Sequence, residues 1–143
     1  MGAYQQLLVA IDLNADSRAI AAKSAALALK WQARMCLLHV IEFVPVEPMS
    51  DALVPVVQID DQIVARSRLQ LVELGASMGL PAEDCLLASG NVKSEILRQA
   101  RALKADLIVL GCRERHGLSI LVNLTEDTVL HGAPCDVLAM RMR

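Results

Sequence analysis

The chain has 143 residues, a length typical of one domain and sufficient for a core that needs no disulfide or metal ion. Apolar residues make up 55% of it and aromatic residues 2%, so the core must be built from Leu, Val, Ile and Ala. The net charge of −2 gives no basic excess for nucleic acid, and one Trp, one Tyr and one Phe cannot form a stacking platform for single strands.

The first third of the chain predicts a strand, a helix and a second strand. The apolar run from Leu7 to Ile11 indicates a strand that is buried on both faces. Asn14 or Asp16 offers an N-cap for an Ala- and Leu-rich helix over residues 17–31. A second buried strand is expected from Met35 to Ile41. The residues expected to share the buried face of the helix are Ile20, Leu27 and Trp31.

The middle of the chain begins with a long predicted loop. Glu42 to Val57 contains three prolines, and loops of this length are usually functional or mobile. A helix is predicted from Ile59 to Gly79, where the acids at 60–61 favour its start and Gly79 is its C-cap. Gly75 weakens this helix by about 1 kcal/mol relative to Ala. The predicted apolar stripe is Val64, Leu71, Leu74 and Met78.

The last third repeats the alternation of strands and helices. A strand at 84–89 precedes a helix at 92–103, and strands at 107–110 and 137–140 enclose a helical segment from Leu118 to His131. The apolar positions of the helix at 92–103 are Val92, Ile96, Ala100 and Leu103.

This alternation predicts an α/β fold, an open Rossmann-like parallel sheet with helices on both faces. Residues 1–143 are expected to form a single domain. Five strands in the order 3-2-1-4-5 place a topological switch between strands 1 and 4, and ligands bind outside the carboxyl ends of such strands. Those ends are Ile11-Asp12, Val40-Ile41 and Leu110-Gly111.

The sequence predicts neither export nor a membrane partner. The opening residues MGAYQQLLVAID lack the basic leader and the long apolar region of a signal peptide. No apolar run approaches the roughly 20 residues that span a bilayer. We therefore expect a cytoplasmic protein.

The four cysteines predict neither a disulfide framework nor a metal site. They form no C-x-x-C pair, and no His/Cys cluster has zinc spacing. Cys36, Cys85 and Cys135 lie at or in apolar runs and are expected to be inert core thiols. Cys112 follows Gly111 and is the cysteine to test for reactivity.

Four segments of the chain together resemble a known family. They are LLVAIDLNADS, LLHVIE, SGNVKSEILRQARALKADLIVLG and PCDVLAMR. In this order and at this length they are similar to the universal stress protein family, its bacterial A-type in particular. The resemblance implies a domain like that of the adenine nucleotide alpha hydrolases, which usually dimerises through its last strand. Many members of the family bind ATP or AMP.

The nucleotide-binding members share a C-terminal signature from which this chain departs. The signature is Gly, two residues, Gly, nine residues, Gly, then Ser or Thr, and its glycines let backbone N–H groups reach the phosphates. Gly111 matches the first glycine, but Glu114 stands at the second. Asn123 and Leu124 stand near the third glycine and the hydroxyl. The Glu114 carboxylate would face the phosphates at a cost of about 1–4 kcal/mol.

Other positions agree better with the family's nucleoside pocket. Asp12 occupies the acidic position after strand 1, Val40 falls where adenine is usually contacted, and Gly90 matches the glycine after strand 3. The resemblance therefore implies that the nucleoside end of a pocket persists while its phosphate end is lost. The residues expected to contact a nucleotide, if one binds, are Asp12, Val40, Gly111, Arg113 and Asn123.

Several of these residues also have purely structural interpretations. Asp12 is interpreted alternatively as holding the loop before the first helix, and Gly111 as allowing a turn. His39, inside an apolar strand, is interpreted as a hydrogen-bonded core or pocket-wall histidine. Arg113, with Arg115 and His116, is either a phosphate contact or part of a solvated loop face.

We expect a non-catalytic regulatory module that acts as a homodimer, without tight ATP binding and with no metal or other cofactor. The sequence contains no G-x-S-x-G elbow, no complete P-loop and no H-E-x-x-H motif. The rival hypothesis is an AMP- or ATP-binding sensor with at most slow ATPase activity. A flavoprotein-like domain has no supporting motif. The strand expected to form the dimer seam comprises Cys135, Asp136, Val137, Leu138, Ala139 and Met140.

Overall fold

The computed structural model describes residues 2–42, 61–113, 129 and 131–142, which form a parallel five-stranded sheet flanked by helices. The strand order is β3-β2-β1-β4-β5, which confirms the predicted α/β fold and topology. The elements in chain order are β1 (Gln6–Ala10), α1 (Ser17–Trp31), β2 (Arg34–Glu42), α2 (Asp61–Ser77), a 3₁₀ turn (Ala82–Asp84), β3 (Cys85–Gly90), α3 (Val92–Leu103), β4 (Leu107–Arg113) and β5 (Asp136–Met142).

The central strand β1 is covered on both faces, as its unbroken apolar run predicts. Successive side chains of a strand point to opposite faces, so Leu7 and Val9 enter the layer under α1 and α2. Leu8 enters the layer under α3, beside Ile108 of β4. All four side chains are fully buried.

The helix α1 spans the predicted residues but buries a different set of side chains. Its sheet-facing side is formed largely by small residues, whereas Leu27 and Trp31 are only half-buried. Small side chains let the helix lie close to the sheet, and the larger ones then fall at its margins. The buried residues of α1 are Ser17, Ile20, Ala21, Ser24 and Ala28.

The apolar stripes of α2 and α3 are confirmed at their centres. Leu71 and Leu74 of α2 and Ile96 and Ala100 of α3 are buried. The outer members of the predicted stripes are half-buried, and α2 additionally buries Ser67 and Gly75. The half-buried members are Val64, Met78, Val92 and Leu103.

Gly79 ends α2 in the predicted manner. Its φ of +79° is a left-handed conformation that glycine adopts without strain. The Leu80 N–H donates to the Gly75 carbonyl at 2.8 Å, and the Gly79 N–H donates to the Ala76 carbonyl at 3.0 Å. This pair of bonds is a Schellman motif, which satisfies carbonyls that the helix end leaves free.

Two predicted boundaries at the carboxyl edge of the sheet are wrong. β4 continues to Arg113, so Gly111 lies inside a strand and pairs with Met140 of β5 rather than following the strand as a turn. Glu42 pairs with Gly90 and is the last residue of β2 rather than the first of a loop. The rest of the predicted loop lies outside the described residues, as does most of the predicted helix at 118–131, of which Val129 and His131 are described as helical.

Candidate functional site

The predicted crevice lies where the topology places it, between β1 and β4 at the carboxyl edge of the sheet. Ala10 of β1 pairs with Leu110 of β4, so Asp12 and Gly111 come just after paired positions of two neighbouring strands. Val40 lies on the other side of β1, in β2, and is 9% exposed. Asp12 is exposed. Three of the five predicted contact residues are therefore brought to one edge of the sheet.

The other two predicted contact residues are described in part or not at all. Arg113 is the last residue of β4, and its backbone pairs with Met142 of β5. Its side chain lies outside the described part of the structure, as do Asn123 and Glu114. Their assignment to a phosphate end of the site remains a prediction from the sequence.

His39 forms a hydrogen bond with the residue after β1, which agrees with its interpretation as a hydrogen-bonded histidine of the core or the pocket wall. Its Nδ1 atom lies 2.8 Å from the Ile11 carbonyl oxygen. A carbonyl only accepts hydrogen bonds, so the proton is assigned to Nδ1. The Ile11 N–H in turn donates to the Leu38 carbonyl at 2.9 Å. Both bonds fix the peptide that leads into Asp12.

The loop from β1 to α1 contains a feature that sequence reasoning missed. Leu13 has a φ of +59°, a left-handed conformation that costs a non-glycine residue about 1–2 kcal/mol. Asn14 compensates, because its side-chain oxygen accepts the Asp16 N–H at 3.0 Å and the Ser17 hydroxyl at 3.3 Å. Of the two predicted caps, Asp16 stands at the N-cap position but its side chain makes no capping bond, whereas Asn14 holds the turn just before the helix.

The start of α3 is also well defined, at the carboxyl end of the edge strand β3. Gly90 ends β3, and the Asn91 side chain accepts the Ser94 N–H at 3.0 Å. This bond makes Asn91 an N-cap, which aims the free N–H groups of the helix start outward from the carboxyl edge of β3.

A separate shallow cleft of about 320 Å³ lies between the loop after β1 and α2. It does not include Asp12, Val40 or Gly111. Its wall combines charged, amide and aliphatic side chains, so it has no single chemical character. The lining residues are Leu13, Asn14, Ala15, Ser17, Arg18, Gln70, Glu73 and Leu74.

Within the described residues, no three His, Cys, Asp or Glu side chains gather as a metal site. In the same part of the chain, no helix is both long and apolar enough to cross a membrane.

The described cysteines have the environment of poorly reactive thiols. Cys36 and Cys85 are buried, and Cys135 is half-buried. Burial raises the pKa of all three thiols above the ordinary value of 9.0. The Asp84 carboxylate, which pairs with Arg34 at 2.5 Å, raises the pKa of Cys36 and Cys85 further. Cys112 lies outside the described side chains.

These raised thiol pKa values predict a loss of stability at alkaline pH. Above about pH 9 the thiols of the unfolded chain ionise while the folded thiols stay protonated, so the free energy of unfolding falls as pH rises. Urea unfolding at about pH 8 and about pH 9.5 measures this difference. Cys36→Ala should make the difference smaller, whatever its effect at a single pH. An unfolding free energy that is higher at the more alkaline pH would contradict the prediction.

Nearly the whole sequence of the chain matches one protein family. Residues 3–141 match the Universal stress protein family. The chain belongs to this family. Two proteins of Coxiella burnetii are similar over nearly their whole length. Universal stress protein A homolog 2 is 30% identical over 144 residues, which cover 100% of this chain and 99% of that protein. Universal stress protein A homolog 1 is 35% identical over 141 residues, which cover 98% of each.

Solved structures of other universal stress proteins share the fold of this chain. A universal stress protein in complex with cAMP superposes with a TM-score of 0.71 at 16% identity, over 98% of both chains. The protein UspA from Lactobacillus plantarum superposes with a TM-score of 0.69 at 22% identity, over 96% of this chain and 98% of that one. At these identities the likeness establishes the fold alone.

Proposed function

We propose that this universal stress protein is a non-catalytic regulatory module of the stress response that acts in the cytoplasm as a homodimer and does not bind ATP tightly. The observation that carries the dimer is the edge position of β5. In the described sheet β5 pairs with β4 alone, so its seven residues form one edge of that sheet. An exposed edge of this length invites pairing with another chain.

The composition of β5 supports a seam between two copies. Leu138 and Met140 pack under the α1 side of the sheet, and Val137 packs on the α3 side. All three are half-buried, so pairing would remove further apolar surface from water. The Tyr4 hydroxyl donates to the Asp136 carboxylate at 2.8 Å and ties the start of the strand to the N-terminus of the domain.

A charged residue on β5 should separate the dimer. We expect light scattering after size exclusion at micromolar concentration to give twice the chain mass of 15.5 kDa for the wild type. Ala139→Arg should give the single mass, because Ala139 is exposed in the monomer and a second copy would set two arginines near one another.

The matched control for this variant is Ala102→Arg, which adds the same side chain at an exposed position of α3. It should remain dimeric. A wild type that runs as a single chain at micromolar concentration would contradict the proposed assembly. An Ala139→Arg variant that remains dimeric would place the seam elsewhere.

The case against tight ATP binding rests on the signature positions. Only Gly111 agrees with the family's phosphate-binding pattern, and the structure has it inside β4, paired with Met140. Strand pairing occupies backbone groups that a phosphate-binding loop must leave free for its ligand. Glu114 stands at the second glycine of the signature, and its carboxylate would repel a triphosphate bound there.

The alternative is an AMP- or ATP-binding module with at most slow ATPase activity. Asp12, Val40 and Gly111 lie at the same edge of the sheet, and the loop that carries Asp12 is held by defined hydrogen bonds. A universal stress protein of the same fold has been solved in complex with cAMP. These observations favour a nucleoside-sized ligand over a triphosphate.

A further inference from the structure

The outer face of α1, which the sheet does not cover, is apolar. Ala19, Ala22, Ala26 and Leu29 lie on it and are all exposed, and Leu29 is 82% exposed. They are spaced like the a and d positions of a heptad, with Ala19 and Ala26 at a and Ala22 and Leu29 at d. A helix that is apolar on both faces is normally covered on both. The sheet covers only the opposite face of α1.

Three cations flank this outer face, and one of them, Arg18, also lines the cleft that contains Glu73 of α2. In the same register Arg18 is a g position and Lys23 and Lys30 are e positions. All three side chains are exposed, and none forms an ion pair with a residue in the described ranges. The helix contains no Asp or Glu between Ser17 and Trp31. Positive charge therefore borders the apolar face on both sides, in a chain whose net charge is negative.

We propose that the outer face of α1 docks a helix of a second protein, apolar at its a and d positions and acidic at its e and g positions. Charges at e and g select partners in helix pairs, and cations at these positions select carboxylates. The alanines let the two helix axes approach closely, and Leu29 supplies the one large anchor. The acidic helix is the class of partner through which the protein would regulate. This inference therefore rests on the proposed role as a regulatory module.

The same features disfavour two other occupants. A second copy of α1 would set Arg18, Lys23 and Lys30 against identical cations, which repel. An anionic membrane surface also attracts cations, but a helix that enters it presents large residues such as Trp, Phe and several Leu. Three of the four residues on this face are alanines, which bury little area in lipid.

The test uses a fluorescent synthetic peptide of about 21 residues with Leu at a and d and Glu at e and g. Anisotropy titrations at low salt should show binding to the wild-type protein. Lys23→Glu/Lys30→Glu should weaken it about tenfold, because two attractions become repulsions. Leu29→Ala should weaken it several-fold. Lys104→Glu, which reverses one exposed charge just after α3 on the other side of the sheet, should leave binding unchanged.

Three outcomes would overturn the docking site. One is equal binding of a peptide with Lys at e and g. Another is binding to vesicles of phosphatidylglycerol and phosphatidylcholine with no binding to the peptide. The third is an assembly larger than a dimer that Ala22→Glu dissolves, which would make the face a contact between copies. Light scattering on the same samples reports the β5 seam separately, so failure of the docking site and failure of the dimer are distinguishable.

Discussion

Replacing Gly75 with alanine is expected to destabilise the protein, although alanine is the better helix former. Gly75 lies inside α2, and a Cβ atom built on it would overlap the Cys85 Sγ atom of β3. Overpacking of this kind costs about 1–3 kcal/mol, whereas the gain in helix propensity is about 1 kcal/mol. The free energy of unfolding in urea should therefore fall, and the thermal midpoint with it.

A second substitution makes this expectation specific to the contact. Cys85→Ala removes the sulfur that the new methyl group meets, so Gly75→Ala should cost much less in the Cys85→Ala background. If Gly75→Ala instead raised the free energy of unfolding of the wild-type protein, the prediction would be wrong, and α2 would be able to shift away from β3. Ala76→Gly is the matched control, since Ala76 is exposed and its change reports helix propensity alone.

Replacing Asp106 with alanine is expected to loosen the start of β1. The two oxygens of this carboxylate accept the backbone N–H groups of Gln5 and Gln6 at 2.8 and 2.9 Å. The Asp106 N–H donates to the Gln6 carbonyl at 3.0 Å, so β1 and the turn before β4 are joined by three bonds. Hydrogen bonds to a charged group contribute more than neutral ones, and losing two of them should cost about 2 kcal/mol at this partly solvated site.

Two companion variants identify the cause of that loss. Asp106→Asn keeps one accepting oxygen and should fall between the wild type and Asp106→Ala. Glu83→Ala removes a carboxylate that is exposed and makes no hydrogen bond within the described residues, and should change the unfolding free energy little. An Asp106→Ala protein as stable as Glu83→Ala would contradict the role of the carboxylate.

The fold could be predicted from the sequence because its signals are local and agree with one another. The apolar run of β1 and the Ala- and Leu-rich composition of α1 identify their elements without any partner. The glycine at the end of α2 supplies the left-handed residue that its Schellman motif requires. Composition alone does not show which face of α1 meets the sheet, because α1 has apolar residues on two opposite faces and the closeness of packing decides between them.

The candidate site was less predictable, because its details depend on contacts between distant segments. β4 extends to Arg113 only because β5 extends alongside it to Met142, and neither length is encoded in the strand itself. The left-handed Leu13 has no sequence signal of its own, although Asn14 beside it is a residue that supports such turns. From the sequence, Gly75 only weakens α2. Its contact with Cys85 of β3, which requires a residue without a Cβ atom, depends on the packing of two distant segments.

Calorimetric titration of the purified protein with ATP and with AMP tests most directly whether it works without a tightly held nucleotide. Mass spectrometry of the supernatant after denaturation should detect no adenine nucleotide carried through purification, and neither titration should saturate at low micromolar concentration. Gly111→Val is the companion variant, since valine is well accommodated in a strand such as β4. Low-micromolar binding of ATP or AMP to the wild type, abolished by Gly111→Val with the dimer intact, would contradict the proposed function and establish a nucleotide sensor in its place.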